Sequence, residues 1–526
     1  MSIFTSVKIR KPKRTTFSLS HEVKLSTEFG RLTPFLCMEV LPGDTFQLSA
    51  NIFARMAPMI APIMSSVNVY THFFYVPNRL LWDKWEEFIT GGEDGTKQPI
   101  PPAIQAGVIR LNNLDLQGTL YDYLGLPTYG TIDPMPQDFG ISLLPFKAYQ
   151  KIWNDYYRDQ NLEDEIELDT EFTGVMGPTY GLEQFGKFFQ IRDRAWEKDY
   201  FTSALPWAQR GPQVTLPIQG GQIPRKDVSM TIGSKLGDNL DVKFATNADG
   251  YSGNLRAVNS SGVSSPIAAF TGTNQAEVFS PTINEVRRSI RVQEWFENNA
   301  RAGSRYIEQI LTHFGVRSSD SRLQRAEYLG GGRSPIMISE VLQNSQTITE
   351  GENPSVLGSM AGHGVTAQAT HSFKRFFEEH GFVIGILSIM PKTSYMQGVH
   401  RMWTRKNKFD YAWPEFANLG EQEIKNYEIY AGADDPNGTF GYTPRYAEYK
   451  YKAGSVHGDF RSSLSFWHLA RIFQNEPRLN STFIHPNVKD LNRIFAVQDD
   501  RDHFWVEIFC NFKSKRPLPY YGIPTI

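Results

Sequence analysis

The sequence predicts a mainly β protein: one barrel or sandwich closed by strands from both ends of the chain, its connections hugely expanded. Three observations carry this. Apolar residues alternate with period two near both termini, helical stripes are confined to the middle, and no Gly/Ser/Pro-rich linker separates the parts. The other arrangement, two small β domains flanking a helical one, would call for such linkers. The 36 Phe and 23 Tyr in 526 residues favour β structure and aromatic interfaces, and 42 Gly with 31 Pro promise many turns.

The elements follow in order. Pro42-Gly43-Asp44 is a turn signal; after it Phe46, Leu48, Ala50 and Ile52 alternate with Gln47, Ser49 and Asn51, as in a half-buried strand. Residues 67–76 are rich in β-branched and aromatic types, which suggests a strand covered on both faces. A helix then carries Leu81, Trp85 and Phe88, with Asn78 as its N-cap and Gly91-Gly92 as its stop. A second, entered at Pro145, places Phe146, Tyr149, Ile152, Trp153 and Tyr156 on one face. A third opens with the capping box Thr282-x-x-Glu285, carries Ile283, Val286 and Ile290, and is interrupted at Gly303. Tyr306, Ile307, Ile310, Leu311 and Phe314 continue a helical stripe to Gly315. Strand patterns return in the apolar run 382–390, ended by Pro391, and in the alternation of 446–451. In the last strand Phe504, Val506, Ile508, Cys510 and Phe512 face one way, and Trp505, Glu507, Phe509 and Asn511 the other.

Residues 215–280 differ in composition. Gly, Ser, Asn and Thr dominate, charges balance, and short alternating pieces such as Val228-Ser229-Met230-Thr231-Ile232 persist. This reads as an exposed excursion with a few short strands, or a plain surface loop.

The net charge of −2 excludes a globally basic coat, so any nucleic-acid contact is a local patch. The two cysteines, Cys37 and Cys510, exclude a disulfide framework and suit a reducing compartment. The N-terminus has no signal-peptide pattern, and no apolar run is long enough for a membrane span. Glu86-Glu87 and Glu378-Glu379 are adjacent carboxylates that point apart on a helix. His371 and His380 flank a helix-like segment, nine residues apart, the wrong spacing for one metal. Gly330-Gly331-Gly332-Arg333 lacks a following Lys-Ser/Thr and reads as a turn. Asp434-Asp435-Pro436-Asn437-Gly438 lacks the bidentate Glu of a calcium loop. The reading is therefore no enzyme, no metal and no cofactor.

Two basic clusters stand out. Lys8, Arg10, Lys11, Lys13 and Arg14 form an electrostatic footprint for polyanions, or a solvated tail. Arg401, Arg405, Lys406 and Lys408 interleave with Trp403, Phe409, Tyr411 and Trp413, a pattern of single-strand binding or of ordinary packing beside a charged loop. Residues 199–212, Asp-Tyr-Phe-Thr-Ser-Ala-Leu-Pro-Trp-Ala-Gln-Arg-Gly-Pro, are too apolar for a solvated loop. Pro206 and Pro212 fix φ, and Tyr200, Phe201, Leu205 and Trp207 need cover from the same chain or another subunit.

That segment resembles one in the major capsid proteins of gokushovirus-type microviruses, small single-stranded DNA phages. The resemblance extends to Phe73-Phe74-Tyr75-Val76-Pro77-Asn78-Arg79-Leu80-Leu81-Trp82, to Trp85-Glu86-Glu87-Phe88-Ile89, and to Glu294-Trp295 with Arg301-Ala302-Gly303-Ser304-Arg305-Tyr306. It continues through Gln324-Arg325-Ala326-Glu327-Tyr328-Leu329-Gly330-Gly331 and the closing Arg516-Pro517-Leu518-Pro519-Tyr520-Tyr521-Gly522. It implies an eight-stranded antiparallel jelly-roll barrel with long, partly helical inter-strand insertions, and copies that close a T=1 icosahedral shell around single-stranded DNA. On this reading residues 1–76 hold an N-terminal arm and the first strands, and 77–214 a helical and irregular insertion with inter-subunit contacts. Residues 215–280 form a variable protrusion, 281–380 a helical insertion, and 381–526 the remaining strands and a C-terminal arm.

The DNA-contact candidates are the two basic clusters with Trp403; the subunit-contact candidates are Tyr200, Phe201, Leu205 and Trp207. Asn247, Asp249, Tyr251, Asn254 and Asn259 are candidates for receptor attachment. The implied partners are further copies of the chain, the genome, a small basic DNA-binding protein, a pilot protein and a host receptor. The place is the virion, assembled in the bacterial cytoplasm. The alternative from another class is a carbohydrate-binding or carbohydrate-active β-sandwich, with rings that stack on sugars.

Overall fold

Two antiparallel sheets face each other across one aromatic core. The computed structural model describes residues 13–106, 116–128, 139–177, 186–212, 241–245, 254–258, 264–266, 283–302, 305–315, 317, 319–342, 360–497 and 501–521. The strands that build the two sheets are β1 (Thr15–Ser18), β2 (His21–Thr27), β3 (Thr33–Val40), β4 (Thr45–Met56), β5 (Val67–Pro77), β6 (Glu327–Pro335), β7 (Met337–Leu342), β8 (Met360–Phe376), β9 (Gly381–Pro391) and β10 (Phe504–Arg516). A six-stranded sheet runs β1-β10-β4-β8-β7, with β2 also paired to β10; a four-stranded sheet runs β6-β5-β9-β3. Strands from both ends of the chain thus share each sheet. Among the described residues no hydrogen-bonded pair joins the two ladders into a closed barrel.

The alternation predicted for β4 and β10 is observed. Phe46, Leu48, Ala50, Ile52, Phe504, Val506, Ile508, Cys510 and Phe512 are buried between the sheets, edge-to-face at Phe46–Phe512 with centroids 4.9 Å apart. The turn before β4 forms as read: Gly43 has φ 92°, and the Asp44 carboxylate accepts from Leu41 N at 2.9 Å. Strands β5 and β9 lack clean alternation because both their faces are covered. Val69, Phe73, Val383 and Leu387 enter the inter-sheet core. Phe74, Val76, Ile384 and Ile386 enter a second cluster on the opposite face, against the helix Leu144–Ile152. Full burial of one such aromatic or branched side chain contributes about 1.5–3 kcal/mol.

The helix Leu144–Ile152 has Pro145 in its first turn, and it passes into a π turn at Trp153–Tyr157. The helix Tyr306–Phe314 ends on left-handed Gly315 as expected. The helix Ile283–Ala302 forms too, but its proposed cap Thr282 lies outside the described residues, as does the 228–232 alternation. Residues 211–296 make a separate compact unit, in which Asp241–Ala245, Asn254–Val258 and Ser264–Pro266 pair as a three-stranded antiparallel sheet.

Four local expectations are corrected. The helix expected from Asn78 is two pieces, a 3₁₀ turn Asn78–Leu80 and the helix Trp85–Thr90. Asn78 lies inside the first piece and does not cap it, although Gly91 stops the second with φ 77°. The run Gly330-Gly331-Gly332-Arg333 is no turn but part of strand β6. A Cβ on Gly331 would sit 2.2 Å from the Thr71 carbonyl oxygen, and one on Gly332 2.1 Å from the His371 ring. Glycine is there because the neighbouring strands come too close for a side chain. His371 is not beside a helix but on strand β8, its ring bonded to Thr71 Oγ1 and, at 3.1 Å, to Ser334 Oγ. Residues 446–451 are not a strand. Tyr446 is left-handed at φ 63° and enters the 3₁₀ turn Ala447–Tyr449.

Candidate functional site

The segment 199–212 begins as a turn organised by one carboxylate. Asp199 is buried; its Oδ1 accepts from Phe201 N at 3.0 Å and Thr202 N at 2.8 Å, and its Oδ2 from Tyr395 Oη at 2.7 Å and Thr393 Oγ1 at 2.9 Å. This turn drives Tyr200 and Phe201 into a cluster with Tyr395, Ile424, Ile429, Phe440, Phe483 and Ile484. Their cover therefore comes from their own chain. Leu205 and Tyr442 exchange backbone hydrogen bonds at 2.8 Å, which fixes the segment beside the strand Thr439–Pro444. Leu205 and Trp207 remain partly exposed, with the Arg210 guanidinium 5.7 Å from the Trp207 ring.

The same region organises the second basic cluster, and it divides that cluster in two. Arg401 donates to Glu428 Oε1 at 2.8 Å. Burial works against its charge, but Glu428, Tyr200 and Glu448 together outweigh that and hold its pKa above the ordinary guanidinium value. Arg405 pairs with buried Glu448 at 3.6 Å and lies over the Tyr449 ring at 4.4 Å and the Tyr411 ring at 5.3 Å. These two arginines are framework. Lys406, Lys408 and Trp403 stay open: Trp403 is 75% exposed, and Lys408 Nζ lies 4.9 Å from the Phe409 ring centre.

In the N-terminal cluster Lys13 and Arg14 are exposed, and Arg14 lies 5.1 Å over the Phe376 ring. Lys8, Arg10 and Lys11 lie outside the described residues. So do Asn247, Asp249, Tyr251 and Asn259, while Asn254 opens the strand Asn254–Val258.

One surface escapes the sequence reading. The outward period of β10 does not stop at Asn511 but continues through Lys513 and Lys515, both exposed. The register sets Gln47 between Lys513 and Lys374, and Thr45 between Lys515 and Phe376. The signal in sequence is the alternation carried two steps further. Lys374, 139 positions earlier than Lys513, joins them only through strand pairing.

The chain matches a phage family model described as capsid protein (F protein) over residues 5–526. It is 36% identical to capsid protein VP1 of Chlamydia phage 1, across 99% of this chain and 97% of that one. Capsid protein VP1 of Bdellovibrio phage phiMH2K is 34% identical (97% and 95% covered), and that of Spiroplasma virus 4 is 30% identical (98% and 95%). The chain belongs to the phage capsid protein (F protein) family. The resemblance to gokushovirus-type microviruses holds, and the carbohydrate alternative finds no support in these relatives.

A capsid protein has a structural task, and the perturbed groups of this one serve packing. Lys147 is fully buried; burial lowers its pKa to about 8, and it donates to the Asp169 carbonyl oxygen at 2.9 Å. Burial pushes the thiols of Cys37 and Cys510 up to about 12 and about 11, which keeps them inert. Among the described residues no three His, Cys, Asp or Glu gather as a metal site, and no helix is long and apolar enough to cross a membrane.

Proposed function

We propose that this capsid protein closes, in about sixty copies, a T=1 icosahedral shell around a single-stranded DNA genome. The observation that carries the reading is the family match along residues 5–526, with full-length VP1 relatives at 30–36% identity. Two antiparallel sheets facing over one core support an eight-stranded jelly roll as the building block. Large exposed side chains support burial against neighbouring copies: Tyr306 at 70%, Phe314 at 76% and Met337 at 71% exposure. Residues 77–214 supply subunit contacts, with Leu205 and Trp207 among them, and 281–380 form a helical insertion. Residues 215–280 form the protrusion that meets the host receptor. The virion carries the subunit after assembly in the bacterial cytoplasm, with a small basic protein and a pilot protein as further partners.

Electron microscopy of the purified chain, with sedimentation and a nuclease-protection assay, tests this. Closed particles of uniform size that shelter single-stranded DNA are expected; a chain that stays monomeric under all assembly conditions rejects it. Removal of residues 247–265 should leave particles intact and abolish attachment to host cells. Failure to assemble would make that segment architectural instead.

A further inference from the structure

We propose that the outer face of the six-stranded sheet is a binding platform for single-stranded DNA, a reading that rests on the shell proposed above. Along β10 the outward side chains are Trp505, Glu507, Phe509, Asn511, Lys513 and Lys515, and all are exposed. They span about 33 Å, enough for several nucleotides. At one end of the face Lys513 and Lys374 flank Gln47, their Cα atoms about 10 Å apart across two strand spacings. Lys515 and Phe376 flank Thr45 in the next row, where Arg14 covers the Phe376 ring.

Charge decides what this end attracts. Among the described residues no ion pair engages Lys374, Lys513 or Lys515, and no acid shares their two rows. The acids on the face, Glu22 and Glu507, stand in other rows, beside Phe509 and Phe53, and share one partner, Lys24, at 3.1 and 3.5 Å. Unpaired cations on a rigid sheet attract phosphate. The rest of the face supplies what bases need. Trp505 is 51% and Phe509 42% exposed; Asn51 and Thr370 share the row of Phe509, and Asn511, Ser49 and Ser372 form the row between it and the lysines. Rings give stacking platforms, amides and hydroxyls give hydrogen bonds, and the lysines track the backbone. A neighbouring protein copy would need acids or a continuous apolar patch opposite; this mixture of free cations, isolated rings and small polar groups fits a single strand better. The chain enters β1 at this basic end directly from Lys13 and Arg14.

The test is binding of fluorescein-labelled oligo(dT) to the full chain, by anisotropy across a salt series. Lys374→Ser, Lys513→Ser and Lys515→Ser together should lower the log–log salt slope by about 2, at about 0.7 per phosphate contact. The corresponding triple Arg variant should restore it. Trp505→Ser and Phe509→Ser should each weaken binding about tenfold at unchanged slope. An unchanged slope in the triple Ser variant overturns the platform. So does loss of assembly with DNA binding intact, which would make the face a contact between copies. The shell reading is scored separately: wild-type chain that binds oligo(dT) but never closes particles defeats the shell and leaves the platform. Triple Ser particles that shelter as much DNA as wild type defeat the platform and leave the shell.

Discussion

Arg401 and Tyr200 meet on one carboxylate: Glu428 takes the Arg401 guanidinium at 2.8 Å on Oε1 and the Tyr200 hydroxyl at 2.9 Å on Oε2. The same Oε1 accepts from Lys425 N at 2.9 Å. Two segments about two hundred positions apart, each conspicuous in the sequence on its own, are thus one structure. The charge of Arg401 is spent on holding the aromatic turn at 199–203, and this reduces what the second basic cluster can offer a nucleic acid.

The first prediction follows from that hub. Glu428→Ala takes this acceptor from a part-buried cation, which keeps the Glu423 carbonyl oxygen, and from a buried hydroxyl, and should destabilise the subunit by about 2–4 kcal/mol. Glu428→Gln keeps one acceptor oxygen and should cost less. Urea midpoints at constant m-value measure both; an Ala variant within about 0.5 kcal/mol of wild type would show that the hub is ornamental.

Gly332 tests the close approach of strands β6 and β8. A methyl group there would overlap the His371 ring, which is itself held between Thr71 and Ser334 and cannot step aside freely. Gly332→Ala should cost at least about 1–3 kcal/mol. Unchanged thermal and urea stability would mean that the sheets slide apart without strain.

These two predictions also mark what the sequence could and could not reveal. The strands β4 and β10 were legible because one of their faces is wet, so hydrophobicity alternates. The strands β5 and β9 were legible as apolar runs because helices cover their second face. The glycine run was illegible: Gly331 and Gly332 are chosen by the atoms opposite, Thr71 and His371, which no local pattern announces. Residues 446–451 alternate in polarity yet turn, because Tyr446 adopts a left-handed backbone and its amide bonds Gln422 at 3.0 Å. The platform lysines were half legible. Lys513 and Lys515 continue a visible period, while Lys374 reaches them only through tertiary pairing.

The pH dependence of stability should carry a signature of His72. Burial, assisted by the charge of Arg194, lowers its pKa from 6.5 to about 4, and its Nδ1 bonds Tyr157 Oη at 2.7 Å. The sign follows from which state binds the proton first. As pH falls through 6.5 the unfolded chain protonates while the folded one does not, so stability declines until about pH 4 and then levels off. The decline attributable to this residue is at most about 3 kcal/mol. His72→Gln should flatten the profile between those values. A variant profile parallel to that of wild type would assign the acid sensitivity elsewhere.

The last prediction concerns the N-terminal arm. Lys8, Arg10, Lys11, Lys13 and Arg14 precede the first acid of the chain, Glu22, which is occupied by Lys24. Arg14 has an aromatic neighbour in Phe376 but no ion pair among the described residues, and Lys13 is exposed. Cations at this density gain most from phosphate, and the arm leads straight onto the end of the sheet where Lys513 and Lys515 stand. If it extends the same path for the genome, changing all five residues to Ser should lower the salt slope by about 3.5, at about 0.7 per contact. Because Lys13 and Arg14 are exposed ahead of β1, the urea midpoint should stay put. Particles from this variant should retain less DNA after a high-salt wash, and combining it with the Lys374, Lys513 and Lys515 changes should lower the slope further. A quintuple variant with wild-type slope and wild-type DNA retention would remove the genome role from the arm and leave it the alternative of an acidic patch on a neighbouring copy, a contact that a fall in particle yield would then reveal.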